Sequence, residues 1–239
     1  MKILSVECSA SPASCAIIDN GIIKASSFVN AKLTHSQTLM QMIINTLDNS
    51  ATKLSDIDNI AIAVGPGSFT GLRIGISAVK GLAAPTGTPC IPVSTLDGMA
   101  YNFTDRDCVV CAVMDARCNQ FYNALFDIKD GNITRLCDDR ALIGNELKEE
   151  VEKLSPDKQI IICGDGADLF YKSVSELKNI IVAPENLKFQ NAVGIGMFTY
   201  KNYENVSTVS PNELLPVYLR LPQAERELKA KNNQTEAKV

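Results

Sequence analysis

The sequence predicts a duplicated α/β fold with a mixed sheet in each half. Two stretches of the chain repeat one order of elements: a three-strand meander, a helix, a strand, a glycine turn and a second helix. In both stretches a short apolar strand ends directly at a glycine turn, which is Gly65-Pro66-Gly67 in the first half and Gly164-Asp165-Gly166 in the second. Such a repeat indicates duplication of one supersecondary unit.

The first half is predicted to hold five strands, at residues 2–7, 15–19, 22–28, 59–64 and 91–93. Asn20-Gly21 is a typical hairpin turn between the second and third strands. Thr34 and Gln37 predict a capping box for a helix that continues through residues 39–47. A second helix is expected over residues 71–83, and Ser94 is expected to cap a third.

The second half is predicted to repeat the order, with strands at residues 108–114, 120–128, 132–137 and 159–163. Asp130-Gly131 supplies its hairpin turn, and helices are expected over residues 146–154, from about Asp168, and near residues 193–203. We therefore predict a first domain at residues 1–103, a second at residues 104–220 and a polar, lysine-rich tail at residues 221–239.

Composition restricts the function. The 239 residues are 46% hydrophobic and 21% charged, with no apolar run long enough for a membrane span and no signal peptide, so we expect a cytoplasmic protein. A net charge of −4 and a pI near 5.1 argue against a free-standing nucleic-acid binder, so any RNA contact is expected to depend on a partner. Most of the eight cysteines lie in apolar runs, as reduced core cysteines do.

The sharpest motif is the string Gly-Pro-Gly-Ser-Phe-Thr-Gly-Leu-Arg-Ile-Gly at residues 65–75. A glycine turn at a helix N-terminus suits an anion, but this one is not a Walker P-loop because no Gly-Lys-Ser/Thr follows. The alternative is close packing, since Gly71 and Gly75 share one helix face. Residue pattern alone favours packing.

For the other candidate residues, the sequence context favours structural roles. His35 is the only histidine, and nothing in the sequence places it beside a nucleophile. Cys108 and Cys111 match C-x-x-C, but three residues apart in a strand they point to opposite faces and belong in a core. Asp115 and Arg117 follow a strand, where they can contact a ligand or brace a cleft.

These motifs resemble the TsaB family, a glycoprotease-like branch of the actin-like ATPase superfamily. The resemblance covers nearly the whole chain, and it is carried by the opening strand, His35-Ser36-Gln37-Thr38-Leu39, residues 65–75, Val93-Ser94-Thr95-Leu96, Asp115-Ala116-Arg117, and Pro216-Val217-Tyr218-Leu219-Arg220 with Ala224-Glu225. It implies a two-domain actin-like ATPase fold, which is a duplicated ribonuclease-H-like fold with mixed sheets.

The resemblance also implies a non-catalytic role. The relative TsaD transfers a threonylcarbamoyl group from its adenylate to the adenosine beside the anticodon of tRNAs reading codons that begin with A, and TsaB-like proteins bind TsaD and are needed for that activity. TsaD carries an H-x-x-x-H metal motif, whereas here Leu39 stands four residues after His35, so neither a catalytic residue nor a metal site is expected.

Expected partners are TsaD, the ATPase TsaE in a larger complex, a second copy of the isolated chain, and tRNA only through the complex. The chain itself is expected to need no cofactor, with ATP or ADP acting at the level of the complex.

Family members pair through their two N-terminal helices, which form a four-helix bundle. The resemblance therefore implies a partner interface, for which we name His35, Leu39, Met42, Ile43, Gly71, Leu72, Gly75, Ile76 and Val79. On this interpretation Gly75→Leu disrupts pairing and leaves the fold largely intact. Nucleotide or cleft contacts are expected at Gly65, Gly67, Ser68, Asp115, Arg117, Gly164 and Gly166.

One departure from the family concerns the end of the first strand. Glu7-Cys8 stands where the family usually has Asp followed by Thr or Ser, which weakens the case for nucleotide chemistry. Two rival functions stay open at this point: a nucleotide-binding actin-like ATPase that uses the two glycine turns, and a peptidase that needs His35 as its base.

Overall fold

The computed structural model describes residues 1–154 and 158–220. The predicted tail at residues 221–239, with Ala224-Glu225, lies outside them. The strands are β1 (Lys2–Glu7), β2 (Ala13–Asp19), β3 (Ile22–Val29), β4 (Asn59–Gly65), β5 (Cys90–Ser94), β6 (Cys108–Asp115), β7 (Gln120–Lys129), β8 (Asn132–Arg135), β9 (Arg140–Ile143), β10 (Ile160–Cys163) and β11 (Ile180–Val182). The helices are α1 (His35–Asn49), α2 (Phe69–Ala83), α3 (Thr95–Ala100), α4 (Gly144–Leu154), α5 (Ala167–Val174), α6 (Glu185–Lys188) and α7 (Ala192–Lys201). Within these residues no helix is long and apolar enough to cross a membrane.

Two mixed sheets confirm the predicted duplication. The first sheet has the order β3-β2-β1-β4-β5, and the second, read from β8, has the order β8-β7-β6-β10-β11. In each sheet the meander strands pair antiparallel, and the two later strands run parallel to the first strand of the meander. The order and direction of the five strands are therefore the same in both sheets. The strand β9 is an addition to the second sheet, where it pairs with β7.

The structure corrects some local predictions. β9, β11 and α6 were not predicted, because segments of three or four residues carry too little periodicity to identify. The predicted capping box at Thr34 is wrong: Thr34 is the N-cap residue, but its side chain caps no amide. The Gln37 N–H donates instead to the Thr34 carbonyl at 3.0 Å. Ser94 caps α3 as predicted, because its hydroxyl accepts from the amides of Leu96 and Asp97.

Helices connect the two sheets. α1 and α2 cover one face of the first sheet, and α7 covers the other, although α7 comes from the second half of the sequence. α3, from the first half, packs on α7 and on the second sheet. α3 and α7 cross in backbone contact, since a Cβ on Gly194 would lie 2.0 Å from the Gly98 carbonyl oxygen. The crossing interlocks the two halves, and the domain limits at residues 103 and 220 stay a prediction.

Candidate functional site

A cleft of about 500 Å³ lies where the leading strands of both sheets end. Its lining comes from the loop after β1, the start of α2, the end of β6 with the turn after it, β7, and the turn after β10. The lining residues are Ser9, Ala10, Ser11, Gly67, Ser68, Phe69, Thr70, Met114, Asp115, Ala116, Arg117, Tyr122 and Asp165. Of the predicted cleft contacts, Gly67, Ser68, Asp115 and Arg117 come together here. Gly65, Gly164 and Gly166 belong to the turns behind the lining rather than to its surface.

Both glycine turns are explained by close backbone packing. Gly65 and Gly164 end equivalent strands with φ values of +135° and +104°, a region that disfavours side chains. A Cβ would lie 2.2 Å from the Val217 carbonyl oxygen at Gly65, and 2.0 Å from the Val113 carbonyl oxygen at Gly164. The glycines are therefore required by their backbone neighbours, whether or not a ligand binds.

The N-terminus of α2 opens into the cleft. The Ser68 N–H donates to the Ser9 carbonyl at 2.6 Å, and the Ser68 hydroxyl accepts from the Gly71 N–H at 3.2 Å. Phe69 and Thr70, the first two helical residues, line the cleft. The positive end of the dipole of this 15-residue helix therefore faces the cavity.

Glu7 is buried behind the cleft in a setting that favours its neutral form. Burial raises the pKa of Glu7 to about 7; hydrogen bonds from Ser9 oppose the rise, and the charge of Asp165 adds to it. The Ser9 N–H donates to one carboxyl oxygen at 2.5 Å, while the other oxygen has no partner among the described residues. Burial also raises the pKa of Asp165, whose carboxylate accepts from the Gln190 amide at 2.8 Å.

Asp115 and Arg117 form the opposite wall. The Arg117 N–H donates to Asp115 Oδ1 at 2.7 Å, and the guanidinium donates to Oδ2 at 3.3 Å. The side chain of Arg117 is 81% exposed, so this ion pair contributes little to stability. Arg117, Cys118 and Asn119 all have positive φ values, of 66°, 55° and 54°, which tighten the turn between β6 and β7. Among the described residues no group of three or more His, Cys, Asp and Glu side chains could hold a metal ion.

The structure corrects the residues named for the partner interface. Eight of the nine are buried inside this chain: Leu39, Met42, Ile43, Gly71, Leu72, Gly75, Ile76 and Val79. Their helical spacing marks the faces of α1 and α2 that pack on the first sheet. Gly71 and Gly75 lie against Cys8 at the end of β1, not on an open face. The expectation that Gly75→Leu spares the fold is therefore wrong, because even a Cβ at Gly75 would lie 2.2 Å from the Cys8 sulfur.

The apolar surface of the helix pair consists of other residues. Met40 and Ile44 lie one turn apart on α1 and are 40% and 46% exposed, and Leu33 before the helix is also exposed. On α2, Ile74 and Ala78 are half-buried. Leu33, His35 and Ile74 line a shared pocket of about 360 Å³, so this surface continues from α1 to α2. The signal for this surface in the sequence is that Met40 and Ile44 are apolar but lie off the helical stripe of Leu39, Met42 and Ile43 that faces the core.

His35 and the C-x-x-C pair take structural positions. His35 Nε2 lies 2.8 Å from the Ala10 carbonyl oxygen, and its buried Nδ1 has no partner among the described residues. In the part of the chain that the structure describes, no hydroxyl or thiol forms a hydrogen bond with the ring, which disfavours a peptidase base. Cys108 and Cys111 are fully buried in cores on opposite faces of the second sheet, as predicted.

The paired sheets, the interlocked helices and the cleft between the strand ends define a protein of the actin-like ATPase fold class. A sequence profile of the family described as TsaD, tRNA N6-adenosine threonylcarbamoyltransferase, matches residues 29–204. The match spans well over half of the chain, which therefore belongs to this family.

The relatives that match over nearly their whole length are named TsaB, not TsaD. The chain is 28% identical to the tRNA threonylcarbamoyladenosine biosynthesis protein TsaB of Escherichia coli, over 92% of this chain and 95% of that protein. It is 26% identical to the protein of the same name in Bacillus subtilis, over 94% and 96%. A solved structure of YeaZ from Pseudomonas aeruginosa superposes with a TM-score of 0.75 at 24% identity, covering 91% of this chain and 99% of that one. The resemblance to TsaB expected from the motifs is confirmed.

Proposed function

We propose that this chain is a non-catalytic subunit in the synthesis of threonylcarbamoyladenosine in tRNA. It binds the TsaD-type transferase and activates transfer of the threonylcarbamoyl group to the adenosine next to the anticodon of tRNAs reading codons that begin with A. The family match and the full-length similarity to proteins named for this pathway support the proposal.

One observation carries the non-catalytic role: His35 is the only histidine of the chain. The family resemblance implies that the transferase holds its metal through an H-x-x-x-H pair. Four residues after His35 this chain has Leu39, which is 1% exposed in the core. One imidazole beside a buried alkyl group cannot supply the pair of nitrogen ligands that such a site needs.

The partner surface of this proposal is the exposed side of the α1–α2 pair. Leu33, Met40 and Ile44 place apolar side chains in solvent, and on α2 Ile74 and Ala78 are half-buried. Leu33 and Ile74 line one pocket. Exposed apolar groups on neighbouring helices favour a protein contact. A homodimer of the isolated chain would use the same surface and compete with the transferase. The net charge of −4 favours a role in which tRNA binds through the complex, which the ATPase TsaE also joins in this proposal.

The experiment is a tRNA modification assay with purified components from one organism. Threonylcarbamoyladenosine is quantified after incubation of tRNA with the adenylate donor and the transferase, this chain, or both. The proposal expects product only with both proteins. Product from this chain alone would contradict the non-catalytic role, and full activity of the transferase alone would contradict the activating role.

A nucleotide-binding role is the second candidate, and the cleft favours it. A cavity of about 500 Å³ at the N-terminus of α2, with Arg117 on its other wall, suits a phosphate group. ATP or ADP would then bind this chain or the complex it joins. ATP hydrolysis by the isolated chain, lost in Asp115→Ala, would support this candidate. Hydrolysis that appears only with the transferase present would assign the nucleotide to the complex.

A further inference from the structure

The last described part of the chain, residues 209–220, runs from the edge of the first sheet to the second half, with a turn at residues 211–213, and we call it the strap. It begins at the open side of β5, the edge strand of the first sheet. The Cys90 N–H donates to the Val209 carbonyl at 2.9 Å, and the Val209 N–H donates back to the Cys90 carbonyl at 2.8 Å. The strap is thus paired to the first sheet at its start.

The middle of the strap runs antiparallel along α2. Lys80, near the end of α2, donates to the Asn212 carbonyl at 3.2 Å. Leu214 is completely buried in the core beneath α1 and α2. Nearer the start of α2, the Arg73 guanidinium donates to the Tyr218 hydroxyl at 2.9 Å. These contacts attach residues 209–218 to the first half.

The end of the strap passes from one wall of the cleft to the other. The Tyr218 ring lies on Phe69, with 4.5 Å between ring centroids, and Phe69 belongs to the α2 wall of the cleft. Leu219 packs against the core of the second half, and the Arg220 guanidinium donates to the carbonyl of Ala116. Ala116 lies in the opposite wall, beside Asp115. Only Leu219 therefore separates an anchor on one wall from an anchor on the other.

The two ends of the strap are held unequally. Its first ten residues have a backbone pair, a buried leucine and an aromatic contact in the first half. Among the described residues its hold on the second half consists of the half-buried Leu219 and of one guanidinium–carbonyl hydrogen bond. Without that hydrogen bond, only Leu219 holds this end, while the rest of the strap stays attached to α2. The crossing of α3 and α7 at Gly98 and Gly194 still joins the halves by another route.

We propose that the strap is a latch that holds the two walls of the cleft together, fastened by Arg220 on the Ala116 carbonyl. Releasing this end allows the turn after β6 to move away from the start of α2, about the α3–α7 crossing. The inference concerns the width of the cleft and goes beyond the proposed function. It holds or fails whichever protein or nucleotide this chain binds.

Hydrogen–deuterium exchange on the full chain tests the latch. Arg220→Ala removes the hydrogen bond to the Ala116 carbonyl, and Arg220→Lys keeps the charge but loses the forked guanidinium donor. Arg106→Ala is the control, because Arg106 pairs with its neighbour Asp105 just before the start of β6, away from the cleft. On the second wall the reporting amides are those of Ala116, which donates to the Gln120 carbonyl, and Gln120, which donates to the Arg117 carbonyl. On the first wall the reporting amide is that of Gly71, which donates to the Ser68 hydroxyl.

The latch predicts that Arg220→Ala speeds exchange about tenfold on both walls, because a hydrogen bond from a charged group is lost. Arg220→Lys should give a smaller increase, and Arg106→Ala none at these amides. Faster exchange at Ala116 and Gln120 alone would reduce Arg220 to a local support of the turn and overturn the latch. Unchanged exchange would overturn it too, as would loss of cooperative melting in Arg220→Ala.

Discussion

The thiol of Cys8 donates a hydrogen bond to the backbone carbonyl of Gly71, with 3.3 Å between sulfur and oxygen. The end of β1 therefore lies directly against the first turn of α2. A Cβ at Gly71 would lie 2.1 Å from the Cys8 carbonyl oxygen, so this approach requires glycine. The contact fixes the helix whose N-terminus faces the cleft, and it links the core of the first half to the candidate site.

Gly75 provides the first prediction. Gly75→Ala should lower the free energy of unfolding by about 1–3 kcal/mol, because its Cβ would lie 2.2 Å from the Cys8 sulfur. Urea denaturation measures the change. Gly81 is a matched control on the same helix with nothing within 4 Å of its added Cβ, so Gly81→Ala should raise stability by about 0.5–1 kcal/mol. Adding Cys8→Ala to Gly75→Ala should recover part of the loss, and strict additivity would argue against this contact.

Glu7 provides a pH prediction. Its pKa is about 7 in the folded protein, against 4.5 as the ordinary value, so folding favours the protonated form. The stability associated with this proton is fully present below about pH 4.5 and is lost as the pH rises through 7. Glu7→Gln mimics the neutral acid and should leave stability at pH 4.5 nearly unchanged. At pH 8 it should stabilise the protein by about 3 kcal/mol relative to the natural chain.

Unfolding at several pH values, with both proteins in parallel, measures this difference. The nearby carboxyl of Asp165 is present in both proteins, so its titration largely cancels in the comparison. A difference between the two proteins that stays constant from pH 4.5 to 8 would mean that folding does not raise the pKa of Glu7.

Ser94 connects the two halves through a helix cap. Its hydroxyl accepts from the amides of Leu96 and Asp97 and donates to the Asp139 carboxylate at 2.6 Å. Ser94→Ala should destabilise the protein by about 1–2 kcal/mol, because the cap and a partner of Asp139 are lost together. Thermal or urea unfolding is the measurement. Ser77→Ala, at an exposed position within α2, should change stability by less than about 0.5 kcal/mol, and an equal loss in both variants would remove the role of the cap.

The sequence predicts the duplicated sheets because both meanders have strong turn residues and both later strands end at glycines. It also predicts Ser94 as a helix cap, because capping depends on a residue type at one local position. It does not predict β9, whose four residues form a strand only because β7 offers a free edge. It also fails on the direction of the apolar stripes of α1 and α2. Leu39 and Met40 are adjacent and both apolar, and only the packing on the first sheet makes one a core residue and the other a surface residue.

The surface of the helix pair gives the prediction closest to function. Met40→Glu combined with Ile44→Glu should weaken binding to the transferase by at least about 2 kcal/mol, because charges would enter an apolar contact. Both side chains are substantially exposed, so the free energy of unfolding should change by less than about 0.5 kcal/mol. Leu169→Glu is the matched control, since Leu169 is a similarly exposed apolar residue on α5 of the second half.

Light scattering on a sizing column, with the transferase from the same organism, tests whether the exposed surface of α1 and α2 binds the transferase. We expect one new peak containing both proteins for the natural chain and for Leu169→Glu. For the Met40→Glu and Ile44→Glu double variant we expect two separate peaks. A complex that forms equally well with the double variant would contradict the proposed surface. Failure of the natural chain to bind the transferase, with nucleotide and TsaE also present, would contradict the partner role itself.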